Sequence, residues 1–277
     1  MRNLALRAAS AAVLVPFAIA VAYFGGWLLL AVCAIAAAAI LWEWTVLVCD
    51  RADPRILVPG LVGLFAAMVL AGRNEPGAAV VVIALAAVLA GGLELRRGAG
   101  RFAKDRVAWA AGGVIYAGVA FVGPALLRRD AEFGFTAVLF VAVTVWTTDI
   151  IAYFVGSGVG GPLLWPRISP KKTWSGAVGG LAGGVAAGTL VFYASGMSKP
   201  AVAGVIALVL SILAQAGDLF ESAVKRHFGA KDAGRLIPGH GGVMDRLDGF
   251  LFAALAALLI GILRQGMDAP ARGLLIW

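Results

Sequence analysis

Nine apolar stretches recur along this 277-residue chain. A hydrocarbon core of about 30 Å takes about 20 residues of helix to cross. With 61% hydrophobic and 14% charged residues, the chain does not have the composition of a soluble globular domain. The pattern predicts an all-α, polytopic integral membrane protein with about nine transmembrane helices. The predicted spans lie near 10–24, 27–48, 56–73, 76–95, 108–127, 135–156, 174–195, 200–221 and 248–264.

The lysines and arginines favour one orientation of these helices. If the N-terminus is cytoplasmic, 17 of the 23 basic residues fall on the cytoplasmic side, which is the positive-inside bias. It places the loops 157–173 and 222–247 in the cytoplasm and requires an odd number of spans. The basic residues are scattered among loops, so we expect no nucleic-acid partner despite the formal net charge of +8.

The stretch 222–248 is the longest polar segment of the chain. Around its start, Asp218, either Glu221 or Ser222, and Lys225 share one face of a helix by their spacing. Asp245 and Asp248 repeat an i, i+3 spacing at the start of the last predicted span. Three carboxylates at two helix ends can converge on one hard cation, and Mg²⁺ takes oxygen ligands together with water or substrate phosphates.

A fourth acid, Asp149, lies inside the sixth predicted span. An ionised carboxylate there costs about 2.5–3.5 kcal/mol, so it should face a polar cavity or a partner. We interpret Asp149 as functional; the alternative is a structural pairing with a Lys or Arg of another helix. In the second span, Glu43 stands between Trp42 and Trp44, and we interpret the two tryptophans as interfacial anchors.

The cytoplasmic loop before the seventh span ends in Ser169, Pro170, Lys171, Lys172 and Thr173. Thr173 can cap the helix, and the lysines then stand at a helix N-terminus that already favours an anion. We predict phosphate binding here; a positive-inside anchor is the alternative.

Carboxylates, basic residues and a glycine-rich turn together are typical of phosphoryl or nucleotidyl transfer, which depends on positioning and charge neutralisation. Gly241 and Gly242, beside His240, allow the backbone to approach a phosphate. His240 either donates a hydrogen bond to phosphate or is structural. The chain has no Walker A, G-x-S-x-G or H-E-x-x-H sequence.

The residues 222–226, 231–232 and 238–248 resemble the defining motif of the phosphatidate cytidylyltransferases, also called CDP-diacylglycerol synthases. The similarity extends upstream to 217–221, to 169–173, and to Asp149 with 152–154. It covers the C-terminal half of the chain; the N-terminal half agrees only in being multi-span.

The resemblance implies that CTP and phosphatidic acid are converted to CDP-diacylglycerol and pyrophosphate. It also implies Mg²⁺ dependence with room for a second cation such as K⁺, and a homodimer. Membrane lipid is a further partner, and the expected location is a bacterial inner membrane with the active site facing the cytoplasm. We divide the chain into N-terminal scaffold helices, 1–130, and a C-terminal transmembrane catalytic region, 131–277.

The resemblance also implies roles for individual residues. The expected catalytic residues are Asp218, Asp245, Lys225, Arg226 and Asp248. The expected metal ligands are Asp218, Asp245, Asp248 and Asp149. The expected substrate-binding residues are Ser169, Lys171, Lys172, Thr173, Ser222, Lys231, Asp232, His240, Gly241, Gly242 and Arg246.

This chain differs from the family's sequence pattern at two positions. Ser175 stands where the family commonly has Glu. Ser157 stands where the family often has a basic residue. Two other functions remain open. One is a CDP-alcohol phosphotransferase-like enzyme. The motif of those enzymes continues with two further aspartates, whereas residues 250–265 of this chain contain no acid. The other is an ion-coupled transporter, against which the acids concentrate in one half and no repeat is visible.

Overall fold

The computed structural model describes residues 2–96, 103–234, 236 and 241–277, with the side chains of 2–11 and of 103–104 left out. Within these residues the chain forms helices and one short hairpin. The elements are α1 (Arg2–Phe24), α2 (Gly26–Cys49), α3 (Pro54–Gly72), α4 (Pro76–Leu95), α5 (Ala103–Leu127), α6 (Gly134–Val159), β1 (Leu163–Trp165), β2 (Ser169–Thr173), α7 (Trp174–Ala194), α8 (Pro200–His227), α9 (Met244–Gln265) and α10 (Pro270–Leu275).

Eight of the described helices are long and apolar enough to cross a membrane: α2 to α4, the part Asp105–Leu127 of α5, and α6 to α9. The predicted fold class is therefore confirmed: the chain is an all-α, multi-pass membrane protein. The predicted span 10–24 falls in α1, whose apolar part with described side chains is Ala12–Phe24. The number of nine and the cytoplasmic N-terminus stay predictions.

Helices α8 and α9 extend beyond the predicted spans into the polar stretch. The last turn of α8 contains Lys225, Arg226 and His227, and basic residues there interact favourably with the helix dipole. Helix α9 begins at Met244 rather than at 248, with Asp245 in its first turn. The polar stretch therefore begins and ends in a helix, and the linker between the two helices, 228–243, is shorter than predicted.

The chain forms two compact units. The first contains Met1–Leu126 and Asp232–Arg246, and the second contains Leu127–Lys231 and Leu247–Trp277. Most of the linker before α9 therefore groups with the N-terminal helices. The division of function at residue 130 stays a prediction.

In the first unit, α2 packs its Trp44 into the core. Residues two apart on a helix point to nearly opposite sides, so Trp42 is 48% exposed whereas Trp44 is only 2% exposed. The indole Nε1 of Trp44 donates to the carbonyl of Trp109 at 3.0 Å, and its ring lies 5.2 Å from that of Tyr116. The interpretation of both tryptophans as interfacial anchors is wrong for Trp44, which is a core residue.

In the second unit, α7 packs against α6 and α8 along a row of small residues. Its buried glycines are Gly176, Gly180, Gly184 and Gly188, one every four residues. Small residues at this spacing allow helices in lipid to approach closely. Behind them, the hydroxyls of Thr148 on α6 and Ser211 on α8 share a hydrogen bond of 2.7 Å. This packing fixes the helices that carry Asp149, Thr173 and Asp218.

We expect Gly184→Ala to destabilise the second unit. The added Cβ would collide with Thr148 Oγ1 and lie 3.1 Å from Ser211 Oγ, and overpacking of this kind costs about 1–3 kcal/mol. The measurement is the melting temperature of the purified protein in one detergent. Gly92→Ala is the matched control, because nothing lies within 4 Å of a Cβ there; an equal loss in both variants would contradict the account.

Candidate functional site

The predicted loop before α7 is in fact a β-hairpin. Strands β1 and β2 pair antiparallel, with Leu163 opposite Thr173 and Trp165 opposite Ser169. Thr173 caps α7 as predicted, since its Oγ1 accepts the backbone N–H of Gly176 at 3.1 Å. The hairpin therefore ends directly at the N-terminus of α7.

In the hairpin, the side chains of the two predicted phosphate-binding lysines point to opposite faces. Successive side chains of a strand point to opposite faces, so Lys171 is exposed while Lys172 is partly buried. The Nζ of Lys172 forms an ion pair with the Oδ2 of Asp218 on α8, and both side chains are 30% exposed. One lysine thus reaches the predicted carboxylate site and the other faces outward.

Two other predicted carboxylates belong to the same neighbourhood. Asp248 on α9 interacts electrostatically with Asp218 and with Asp149 on α6, as well as with Lys172. Its Oδ1 accepts the backbone N–H of Gly249 at 2.8 Å. Asp149 is exposed on α6. We call the group of Lys172, Asp149, Asp218 and Asp248 the acidic cluster.

Glycines allow α8 and α9 to approach closely beside Asp218 and Asp248. A Cβ on Gly217 would lie 2.6 Å from the carbonyl oxygen of Asp248, and one on Gly249 would lie 3.0 Å from that of Ala214. Larger residues at either position would push the two helices apart. The residues that flank Asp218 and Asp248 therefore set the distance between the helices that carry them.

The acidic cluster fits a divalent cation in charge and in donor type. It contains three carboxyl groups and one ammonium group, and carboxylate oxygens are the ligands of hard cations. Among the residues that the structure describes, no group of three or more His, Cys, Asp or Glu side chains is arranged as a metal site. A cation bound by one or two of these carboxylates would complete its shell with water or phosphate oxygens, as Mg²⁺ commonly does.

The remaining predicted residues of α8 have partners in the last turns of that helix or just after its end. Lys225 is largely buried and its Nζ lies 2.6 Å from Glu221 Oε2. Ser222 donates to Asp218 Oδ1 at the long distance of 3.5 Å. Arg226 is exposed and donates to the carbonyl of Ala230 at 2.9 Å. Lys225 therefore has a helical partner that the predicted role in phosphate neutralisation did not consider.

In the first unit, Asp245 organises the backbone before α9. Its Oδ2 accepts the N–H groups of Gly242 at 2.9 Å and Ala233 at 3.1 Å. Gly241 has a φ of +86°, a conformation that glycine adopts without strain. Asp245 thus has a structural role in addition to the predicted one, and its assignment as a metal ligand stays a prediction.

The structure also shows the exposure of other predicted site residues. Lys231, Asp232 and Arg246 are exposed and Ser169 is half-buried. His240 lies outside the described residues. At the departures from the family pattern, the Oγ of Ser175 bonds to the carbonyl of Gly160, and that of Ser157 donates to the carbonyl of Tyr153 at 2.6 Å.

One functional candidate was missed by sequence reasoning. Glu43 on α2 is 2% exposed, and its carboxylate accepts the N–H groups of Val243 at 3.0 Å and Met244 at 2.8 Å. The available signal was an acid in an apolar span, which is costly and usually functional. The flanking tryptophans concealed it, because they offered a simpler explanation.

Comparison with known proteins extends the similarity beyond the C-terminal half. Residues 5–263 match the model of the Cytidylyltransferase family. A phosphatidate cytidylyltransferase of Brucella suis is 54% identical over 165 residues, which are 59% of this chain and 60% of that protein. One of Bacillus subtilis is 40% identical over 152 residues, 54% of this chain and 56% of that protein.

A third relative covers more of the sequence. The phosphatidate cytidylyltransferase of Staphylococcus aureus (strain COL) is 36% identical over 203 residues, which are 71% of this chain and 76% of that protein. The match to the Brucella suis relative, in contrast, spans only 60% of its length. Since the family match runs from residue 5 to residue 263, the chain belongs to the cytidylyltransferase family.

Proposed function

We propose that this protein transfers the cytidylyl group of CTP to phosphatidic acid, giving CDP-diacylglycerol and pyrophosphate. The family membership and the names of the relatives support the reaction class. The observation that carries the proposal is the ion pair between Lys172 and Asp218 beside the capped N-terminus of α7. It combines a cation, a carboxylate and a helix N-terminus in one place.

The chemistry requires positioning more than acid–base catalysis. A phosphate oxygen of phosphatidic acid attacks the α-phosphorus of CTP, forming a new P–O bond while the bond to the bridging oxygen of the β-phosphate breaks. Pyrophosphate leaves with that oxygen. The nucleophile is a phosphate monoester that is already anionic near neutral pH, so no general base is needed. The protein's task is to bring two anions together and to stabilise the added negative charge.

Lys172 and the N-terminus of α7 are suited to bind phosphate oxygens. An ammonium group and the first turn of a helix both stabilise an anion. Lys172 lies near the end of a β-hairpin and pairs with Asp218, so the ion pair positions its ammonium group before a substrate arrives. Preorganised charge of this kind acts without a reorganisation cost during the reaction.

Asp218 and Asp248, with Asp149, are the residues that would hold Mg²⁺. Bound there, the metal ion would supply positive charge to the oxygens of the nucleotide phosphates. The charge of the acidic cluster supports this assignment, and Asp245 is a further predicted ligand. A second cation such as K⁺ is proposed on the family resemblance alone.

The proposed setting is the cytoplasmic side of a bacterial inner membrane, as the distribution of basic residues predicts. There the acyl chains of phosphatidic acid stay in the bilayer while its headgroup reaches the protein. CTP is supplied from the cytoplasm. A homodimer stays a prediction.

The reaction is tested with purified protein in lipid nanodiscs that contain phosphatidic acid, with Mg²⁺ and CTP labelled with ³²P at the α-phosphorus. We expect the label to move into the organic phase as CDP-diacylglycerol. CTP labelled at the γ-phosphorus should leave all label in the aqueous phase as pyrophosphate. Folded protein that yields no organic-phase label from α-labelled CTP would contradict the proposed function.

The two neighbouring lysines provide a second prediction. Lys172→Gln should lower kcat/KM for CTP by about 100-fold, a loss typical of removing one preorganised charged donor. Lys171→Gln should lower it by less than about tenfold, because that side chain faces outward and contributes by long-range attraction. Steady-state kinetics of both variants decide the matter, and an equal or larger loss at Lys171 would exclude the assignment of Lys172.

A further inference from the structure

The carboxylate of Glu43 is bound to the start of α9. Its two oxygens accept hydrogen bonds from consecutive backbone N–H groups, Oε1 from Val243 and Oε2 from Met244. The first N–H groups of a helix have no acceptor within the helix. Glu43 therefore provides, from α2, the acceptors that an N-cap side chain would otherwise provide from the same segment.

Two glycines leave room for this carboxylate. A Cβ on Gly242 would lie 2.7 Å from both oxygens of Glu43, and one on Gly234 would collide with Oε1. The backbone thus surrounds the carboxylate closely on two sides. This arrangement is specific to the side chain at position 43 and is not a general consequence of helix packing.

The segment so bound is the part of the first unit that carries predicted site residues. Asp245 accepts the N–H groups of Ala233 and Gly242, and Glu43 accepts the next two along the chain. Together the two carboxylates accept four backbone N–H groups, those of residues 233, 242, 243 and 244, and hold the backbone at these positions. Asp245 and Arg246 follow directly on α9.

We propose that Glu43 is a positioning residue, which holds residues 241–246, including the start of α9, in the conformation that the reaction requires. Its own atoms need not touch substrate. The role in catalysis rests on the proposed function, whereas the anchoring of the segment does not. The N-terminal helices are then more than a scaffold, since one of them supplies an anchor for the motif.

The anchoring is tested by amide hydrogen exchange of the full-length protein in nanodiscs, without added metal ion or substrate. In Glu43→Gln, one of the two acceptor oxygens becomes an amide NH₂ group, which cannot accept. We expect peptides that cover 241–246 to exchange on the order of tenfold faster than in the wild type. Glu94→Gln is the matched control, since Glu94 is also 2% exposed and its carboxylate pairs with Arg106 on α5.

A second variant displaces the carboxylate without removing it. The Cβ of Gly234→Ala would push on Oε1, so this variant should also speed exchange in 241–246. This variant leaves the glutamate at position 43 unchanged, so it tests the anchoring even if Glu43→Gln does not fold. Unchanged exchange in both variants, or an equal increase in Glu94→Gln, would overturn the anchoring role.

The catalytic consequence is measured separately. If Asp245 binds Mg²⁺, Glu43→Gln should raise the Mg²⁺ concentration for half-maximal cytidylyl transfer by about tenfold, while Glu94→Gln should leave it within about twofold. A simple loss of folded protein would lower the rate without shifting this concentration, and that result would overturn the positioning role. A wild-type protein without transfer activity would refute the proposed function, whereas the exchange result would still decide the anchoring.

Discussion

The ion pair between Lys172 and Asp218 makes a charged site compatible with a chain that is otherwise apolar. A carboxylate within a membrane helix costs about 2.5–3.5 kcal/mol, and a paired cation offsets part of that cost. The pair also connects β2 to α8, so the hairpin that leads into α7 is held against the helix that carries the acid. Asp248 adds a carboxyl group to the same neighbourhood, so the acidic cluster has more carboxyl groups than cations.

Backbone packing determines where these charges can stand. In the second unit, glycines on α7, α8 and α9 let the helices approach so closely that an added Cβ would collide with a neighbour. In the first unit, Glu43 and Asp245 bind the backbone that precedes α9. In both units, neighbouring groups contact the backbone directly, through glycine packing in the second and through hydrogen bonds to carboxylates in the first. They fix the chain near the predicted site residues without requiring an extended polar core.

The sequence predicted the fold class, the capping by Thr173 and the proximity of Asp218 and Asp248, because helical spacing and apolar length are local properties of the chain. It did not predict the hairpin, since Leu163 and Thr173 pair only after the chain has turned back. It also did not separate Lys171 from Lys172, because their difference depends on strand alternation. Glu43 was missed for a similar reason: its partners, Val243 and Met244, lie 200 and 201 residues away along the chain.

We propose that the acidic cluster binds a divalent cation through Asp218. The most direct test is a titration with Mn²⁺, followed by electron paramagnetic resonance, on the wild type and Asp218→Asn in the presence of CTP and without phosphatidic acid. We expect a protein-dependent Mn²⁺ site in the wild type, with affinity reduced at least about tenfold in Asp218→Asn. The affinity should be unchanged in the control Asp130→Asn, because Asp130 pairs with Arg272 and is not part of the acidic cluster. Equal Mn²⁺ affinity and stoichiometry in the wild type and Asp218→Asn would contradict it.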